Sequence, residues 1–445
     1  MKKIIFWTAW LGLLVGLAYY LAYPLLTDNT DKRIFVPAKT SNGHHQIEEK
    51  CELCHEPFGA LKEQACLDCH VKQLNKVGDS HAAKIFKDPR NADTLKIINA
   101  TSCLSCHNEH QQDEYPSGVT IAADFCILCH QEIAKDRPSH QDMAFDNCTD
   151  CHNYHDNTAL YEDFLAKHLD EPATIKNSVL PERNLLHFYA KKSKHALTPL
   201  KLSDHDAPID VDLSLGQDWL ASSHAQAGVN CQSCHLNKQA VWVNKPDQNY
   251  CKSCHKKEVK GFLSGKHGVR LQQNLSPMSR DKARLPMTTD AMKDQTLSCT
   301  SCHAAHQFKT DTAAVKACLT CHADEHSLAY KNSPHSQLWN HEQQGLLPEG
   351  SGISCASCHL PRESKGRKKN RRTKVQHNQN HNLRPNQKML RKVCMQCHGV
   401  GFSLDALADK ALIKNNFSSP PTKHLTSLEM VKKRLETPTE ENTNE

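Results

Sequence analysis

Every cysteine of the 445-residue chain lies in one repeated motif, in which two cysteines stand three positions apart and a histidine follows at once. The motif occurs eleven times and accounts for all 22 cysteines, so no thiol is left for a disulfide or a nucleophile. We number the motifs as sites I to XI in chain order. Their residues are Cys51, Cys54 and His55; Cys66, Cys69 and His70; Cys103, Cys106 and His107; Cys126, Cys129 and His130; Cys148, Cys151 and His152; Cys231, Cys234 and His235; Cys251, Cys254 and His255; Cys299, Cys302 and His303; Cys318, Cys321 and His322; Cys355, Cys358 and His359; and Cys394, Cys397 and His398. Two thiols at this spacing can bond to two points on one planar ring, and the adjoining imidazole can ligate a metal ion at its centre.

The ring that fits this motif is haem. In c-type attachment the two thiolates add to the vinyl groups of one haem, and the histidine becomes the proximal ligand of its iron. Paired cysteines also build zinc ribbons, but a ribbon needs no histidine directly after every second cysteine. Eleven such motifs with no cysteine outside them favour haem over zinc or a redox-active dithiol. The sequence therefore predicts eleven covalently bound haems c.

The composition agrees with a haem-filled interior. Aromatic residues make up 6% of the chain and the mean hydropathy is −0.63, which is lean for a chain of this length. The formal net charge is +6, but eleven oxidised haems with two propionates each would bring the total to roughly −5. We therefore expect lysines and arginines to pair with propionates, and the charge does not support a nucleic-acid partner.

The second axial ligand of each iron is expected to come from the remaining histidines. Thirty histidines minus eleven in motifs leave nineteen. The candidate distal ligands are His44 or His45, His81, His110, His140, His155, His224, His267, His306, His326, His335 and His381. Bis-histidine ligation implies low-spin, low-potential haems, and with eight methionines in the chain one Met/His site stays open.

Two histidine patterns recur around the motifs. His44 and His224 each stand seven positions before the first cysteine of a closely spaced pair of sites, in GHHQIEEKCELCH and SSHAQAGVNCQSCH. His110, His155 and His306 each follow a motif histidine by three positions. A histidine so close to its own motif does not easily reach the other face of the same haem. We therefore expect these side chains to ligate neighbouring haems.

The N-terminal segment predicts a membrane anchor. Residues Ile4–Tyr23 form an uncharged run of 20 residues, long enough to span a bilayer as a helix. Lys2 and Lys3 precede it, which places the short N-terminal end in the cytoplasm and the haem domain in the periplasm. The alternative is a cleaved signal peptide, but the apolar run is longer than a usual h-region. We expect an uncleaved single-pass anchor in the cytoplasmic membrane.

The expected fold is mainly α with extensive loops and little β, cored by haem, with one N-terminal transmembrane helix. Predicted domains are the anchor at 1–27, a pentahaem module at 28–155, a connecting region at 156–222, a hexahaem module at 223–414, and a C-terminal helix with a disordered acidic tail at 415–445. Helices are predicted near Asn184–Lys194, Ala313–Cys318, Lys388–Cys394, Leu404–Ile413 and Leu425–Leu435.

Two family resemblances suggest different roles. The first cluster resembles class III cytochromes and the small pentahaem carriers that feed nitrite reductase, which implies electron transfer by bis-histidine haems. The second cluster, through CTSCHAAHQF, ACLTCHADEH, SPHSQLW and ISCASCHLPRE, is similar to the hydroxylamine oxidoreductase and octahaem nitrite reductase superfamily. Leu360 stands where those enzymes carry Met, and no motif has the Lys that ammonia-forming nitrite reductases use.

The favoured function is therefore electron transfer from the quinol pool or a quinol dehydrogenase to a periplasmic or outer-membrane redox protein. The alternative is a fused carrier and reductase of nitrite, hydroxylamine or a sulfur oxyanion, with one open haem in the second cluster; no catalytic residue can be assigned. The basic run Pro361–Lys374 is either a docking loop for an acidic partner or anionic lipid, or a solvated insertion.

Overall fold

The computed structural model describes residues 2–27, 32–56, 61–77, 81, 85–111, 120, 123–136, 140, 148, 152, 154–155, 162–175, 180–181, 198–290, 296–365, 372–383 and 388–436. Over these ranges the chain is mainly α-helical, as predicted, and most helices are one to three turns long. The α-helices are Lys2–Leu26, Glu63–Val77, Ala92–Ile97, Ile133–Asp136, Glu162–Ala166, Leu213–Leu220, Ser223–Gln226, Gln232–His235, Gln248–Cys251, Lys256–Ser264, Val269–Gln272, Cys299–Cys302, Thr310–Ala314, Lys316–Cys321, Glu325–Ala329, Pro334–Gln343, Cys355–His359, Asn380–Leu383, Met389–Lys392, Val400–Ala408, Lys410–Lys414 and Ser427–Glu436. Within the same ranges, Arg362–Lys365 and Arg372–Val375 form a two-stranded antiparallel hairpin.

The four predicted helices that fall within the described residues are present, and two of them are interrupted. The helix expected at Leu404–Ile413 is divided at Asp409, whose carboxylate accepts a hydrogen bond from the backbone of Leu412 at 2.9 Å and so begins a second helix there. The helix expected at Ala313–Cys318 is divided at Val315, where the backbone leaves helical geometry without a side-chain cap. The helix predicted near Asn184–Lys194 and the acidic tail lie outside the described residues.

The N-terminal helix stands apart from the rest in composition. Its segment Lys2–Pro24 is long and apolar enough to cross a membrane, and its most apolar stretch is 0% buried inside the protein. Length and composition support a membrane span, but a signal sequence satisfies the same two criteria.

A small hydrophobic cluster holds the connecting segment against the C-terminal helices. Leu165 in the helix Glu162–Ala166 packs with Leu390, Val400, Leu404 and Val431, all of them buried. Backbone hydrogen bonds extend this contact, from the Ile175 N–H to the Cys397 carbonyl at 2.7 Å and from the Gly399 N–H to the Pro172 carbonyl at 3.1 Å. The chain that leaves the first cluster therefore lies against the last site of the second cluster.

A second contact joins the two clusters through buried charges. Arg270 donates to the Glu49 carboxylate at 2.9 Å and to the Gln46 carbonyl at 2.8 Å, and Lys282 donates to the other Glu49 oxygen at 2.7 Å. The Arg270 and Glu49 side chains are only 3% and 7% exposed. Nearby, Arg284 donates to Glu48 at 3.1 Å. Cations from the second cluster thus hold the segment that leads into site I.

Candidate haem-binding sites

Each motif that the structure describes in full folds into one helical turn, which explains why its spacing works. The motif histidine donates its backbone N–H to the carbonyl of the first cysteine, for example His55 to Cys51 at 2.8 Å and His303 to Cys299 at 2.9 Å. Residues three and four apart lie on one face of such a turn, so the two thiols point the same way and the imidazole follows them. The local fold therefore presents two thiols and one imidazole together.

Every motif histidine faces a second imidazole at nearly the same separation. The ring centroids are 6.2 Å apart for His55 and His110, 5.8 Å for His70 and His44, 6.5 Å for His107 and His155, 6.1 Å for His130 and His81, 6.0 Å for His152 and His140, 6.1 Å for His235 and His306, 5.9 Å for His255 and His224, 6.3 Å for His303 and His377, 6.2 Å for His322 and His267, 6.0 Å for His359 and His326, and 6.3 Å for His398 and His335. Metal–imidazole bonds are about 2.0–2.1 Å long, so two imidazoles on opposite sides of one ion have centroids roughly 6 Å apart. The residues fit bis-histidine haem iron at all eleven sites.

The orientation of the rings agrees with iron ligation through Nε2. Nδ1 of His235 hydrogen-bonds to the Val243 carbonyl at 2.7 Å, Nδ1 of His398 to the Ala173 carbonyl at 2.9 Å, and Nδ1 of His81 to the Tyr154 carbonyl at 2.9 Å. Such bonds fix the tautomer with the proton on Nδ1, which leaves the Nε2 lone pair for a metal. Trp242 stacks on His235 at 4.6 Å and further fixes that ring.

Burial keeps several of these imidazoles neutral. It lowers the pKa of His267, His303, His335 and His359 to about 4. A neutral imidazole is the form that binds a metal, because the protonated ring has no free lone pair.

The structure pairs ten of the predicted distal candidates with a motif histidine and differs at one. His44 is the member of the His44/His45 alternative that faces His70, while Nδ1 of His45 hydrogen-bonds to the Asn42 carbonyl at 3.2 Å. His381, named from the sequence, lies instead beside Lys392 at 2.9 Å and Glu363 at 3.3 Å. The imidazole opposite His303 belongs to His377, which the sequence reasoning missed.

The hairpin after site X explains this difference. In sites III, V and VIII a histidine follows the motif by three positions, but the same position after His359 is Arg362, the first residue of the hairpin. The Arg362 side chain donates to the Pro181 carbonyl at 3.0 Å. The second strand ends at Val375, and His377 follows two positions later. The insertion thus moves the expected histidine from three positions to eighteen positions beyond the motif.

The pairs reveal a duplication that extends over five sites. In each cluster the histidine before the first site faces the second site, and the histidine between the second and third sites faces the fourth. The histidine three positions after the third motif faces the first site, the one between the fourth and fifth sites faces the fifth, and the one after the fifth motif faces the third. The corresponding residues are His44 and His224, His81 and His267, His110 and His306, His140 and His326, and His155 and His377.

The ring angles support the duplication at four of its five positions. The planes are near parallel at sites I and VI, 25° and 7°, and at sites III and VIII, 14° and 37°. They are strongly inclined at sites II and VII, 63° and 83°, and at sites IV and IX, 87° and 50°. Only the fifth position differs, with 18° at site V and 84° at site X. Site XI, with His335 opposite His398, stands outside the repeat.

Consecutive sites are neighbours within each cluster. The side chains of Cys66 and Cys103 lie close enough to interact electrostatically, as do those of Cys126 and Cys148. In the second cluster Cys251 contacts Cys299 and Cys318 contacts Cys355. Electrostatic interactions between cysteines link the other successive sites, including Cys358 with Cys394. Sites I to V and sites VI to XI therefore form two rows that follow chain order.

Comparison with known proteins agrees with these features. A family model described as cytochrome c3 matches residues 223–284, which contain sites VI and VII with His224 and His267. The chain is also 22% identical over 289 residues to the high-molecular-weight cytochrome c of Nitratidesulfovibrio vulgaris, a match that covers 63% of this chain and 44% of that protein. The chain thus matches less than half the length of this relative. Together with the attachment motifs and the paired imidazoles, the matches support a multihaem c-type cytochrome with covalently bound haem c.

Proposed function

We propose that the chain binds eleven haems c, each with two histidine ligands, and conducts electrons through them without transforming a substrate. The observation that carries this proposal is the set of eleven histidine pairs, since every motif histidine has an imidazole opposite it. The proposed distal ligands are the ten paired candidates together with His377. Bound haem supplies a reversible Fe(II)/Fe(III) couple, and two histidine ligands leave its iron no open position for a substrate.

The chain's own residues position the relay. The helical turn of each motif orients two thioether bonds, and the neighbouring segments deliver the distal imidazole from another site. Because His110, His155 and His306 each serve the site two motifs earlier, the segments cross-connect their rows. Such connections hold the sites of a row together, and electron hopping along a row requires that neighbouring haems lie close to each other.

The contact between Glu49 and Arg270 supports a route between the rows. It lies next to the segment that carries His44 and the segment that carries His267, and Lys266 hydrogen-bonds to the Gly43 carbonyl at 3.0 Å. His44 faces site II and His267 faces site IX. We infer that electrons cross between the rows near these two sites, away from the row ends.

The haem count and the spin state test the proposal together. A pyridine haemochrome assay against protein concentration is expected to give eleven haems per chain. The EPR spectrum of the oxidised protein is expected to contain low-spin signals alone, unchanged by nitrite or hydroxylamine. One high-spin iron that responds to nitrite would instead support a fused carrier and reductase with an open haem.

For location and partners, we propose a periplasmic haem domain anchored in the cytoplasmic membrane. The apolar helix and its preceding lysines support this arrangement. The proposed donor is the quinol pool or a quinol dehydrogenase, and the proposed acceptor is a periplasmic or outer-membrane redox protein. Full-length protein in membranes is expected to be reduced by added quinol, and a variant with residues 2–27 replaced by a cleavable signal peptide is expected to be soluble. Recovery of the full-length protein in the soluble periplasmic fraction would contradict the anchor.

A further inference from the structure

The hydrogen bond from His44 to Glu109 distinguishes site II from site VII, its counterpart in the second cluster. Nδ1 of His44 lies 2.6 Å from Oε1 of Glu109, and the second carboxylate oxygen accepts the Ser41 N–H at 3.2 Å. The Nδ1 hydrogen bonds described for seven other paired histidines go to neutral acceptors. The acceptor is a backbone carbonyl for His81, His110, His235, His326, His377 and His398, and the Gln73 amide oxygen for His70. Asp324 lies 3.8 Å from Nδ1 of His322, beyond hydrogen-bond distance.

The duplication supplies an internal reference for this bond. His224 corresponds to His44, and the residue that corresponds to Glu109, one position before the histidine that follows the third motif, is Ala305. Nδ1 of His224 is buried and has no hydrogen-bond partner among the described residues. Phe308 packs edge-on against this ring instead, at 4.6 Å. Sites II and VII therefore share their ligand positions and their inclined rings, and of the two distal rings only that of His44 has a carboxylate at Nδ1 among the described residues.

We propose that Glu109 is a positioning residue that lowers the reduction potential of site II below that of site VII. This proposal rests on the proposed bis-histidine ligation. A carboxylate that accepts the Nδ1 proton gives the imidazole partial imidazolate character and makes it a stronger donor to the metal. A stronger donor and a nearby negative charge both stabilise Fe(III) relative to Fe(II). Glu109 also precedes His110, the ligand of site I, so one short segment serves both sites.

The test compares two variants expected to shift a haem potential in opposite directions, together with a third that keeps the charge. Glu109→Gln keeps the shape of the side chain but removes its charge, and it is expected to raise the potential of one haem. We expect the ratio of reduced to oxidised iron at that haem to change about tenfold at a fixed potential, which is 59 mV for one electron. Ala305→Glu is expected to place a carboxylate near His224 and to lower the potential of one haem of the second cluster. Glu109→Asp keeps the charge on a shorter side chain, so the potential of that haem is expected to lie between those of the unsubstituted protein and Glu109→Gln.

The readout is a redox titration followed by EPR, with the haem count measured on each variant. Eleven low-spin haems with no potential shifted in Glu109→Gln would overturn the proposal. If Glu109→Gln loses low-spin ligation at site II, Ala305→Glu decides: a negative shift supports the proposal, and no shift overturns it. Fewer than eleven haems or a high-spin iron in the unsubstituted protein would count against the proposed function and not against the role of Glu109.

Discussion

Replacement of His377 by alanine removes the imidazole that lies 6.3 Å from that of His303. The His377 ring is held by a hydrogen bond from Nδ1 to the Val375 carbonyl at 3.1 Å, at the end of the hairpin strand. If His377 is the distal ligand of site VIII, its loss leaves that iron with one protein ligand. No other histidine ring pairs with His303 among the described residues, so we expect no replacement.

The size of the effect follows from the number of sites. One of eleven irons is expected to become high-spin, which is about 9% of the haem and well within the range of EPR spin quantitation. The covalent attachment of that haem does not depend on His377, because Cys299, Cys302 and His303 are unchanged. The haemochrome count is therefore expected to stay at eleven.

His381→Ala is the matched control, because His381 lies four positions away and contacts Lys392 and Glu363. It is expected to leave all eleven irons low-spin. A high-spin signal in His381→Ala, with none in His377→Ala, would refute the reasoning from ring geometry and restore the assignment made from the sequence.

Four further predictions concern other parts of the molecule. Glu49→Gln removes the carboxylate shared by the buried Arg270 and the partly exposed Lys282, and breaking a buried pair in this way costs about 3–5 kcal/mol. Thermal unfolding would measure this loss against Glu56→Gln, an exposed control. Burial alone would raise the pKa of Glu49, but its bonds to Lys282 and Arg270 lower that pKa below the ordinary 4.5. The ionised Glu49 carboxylate therefore stabilises the fold above pH 4.5, and this stabilisation is lost as the pH falls through the lowered pKa. Unchanged stability between pH 6 and pH 3 would contradict this. In five histidine pairs the two imidazole planes lie within 40° of each other. Parallel planes separate the two π-bonding iron orbitals most strongly, so EPR is expected to resolve about five rhombic and six nearly axial low-spin haems. A single class of low-spin signal would contradict the ring angles. Replacement of residues 366–371 by Asn-Gly, a two-residue turn that can join antiparallel strands, is expected to keep the hairpin Arg362–Lys365 and Arg372–Val375 and to retain all haems. If the basic run docks an acidic partner, the salt dependence of electron transfer should weaken in this variant; unchanged salt dependence would favour a solvated insertion.

The covalent attachment residues and the proximal histidines could be predicted from the sequence, because the residue types and their spacing in each motif point to the same chemistry. One helical turn carries both thiols and the proximal imidazole of a site, so local structure alone decides their arrangement. The mainly α fold could be predicted for the same reason, since short helices begin at or near many of the motifs, as at Gln232–His235 and Cys355–His359.

The pairing of sites with distal histidines could not be predicted from the sequence, because each distal ring comes from another part of the chain. The contact between His55 and His110 spans two intervening motifs, and that between His335 and His398 brings the helix Pro334–Gln343 to the last site. The pattern of a histidine three positions after the motif does not lead to His377, because the hairpin separates this residue from site X. In the second cluster Arg362 occupies the position that corresponds to His155 in the first, so the distal ligand of site VIII must come from a histidine further along the chain.

The duplication also changes how the second cluster should be divided. Sites VI to X repeat the ligand order of sites I to V, so the chain contains two five-site units and one additional site. The additional site uses His335 from the helix Pro334–Gln343, which lies between sites IX and X. The proximal His398 hydrogen-bonds to the Ala173 carbonyl in the connecting segment, and the C-terminal helices close over the same segment. Because site XI is built from these three elements, and it follows site X in the second row, we expect it to terminate that row. Electrons that leave or enter there would do so beside the connecting segment, at the opposite end of the row from site VI.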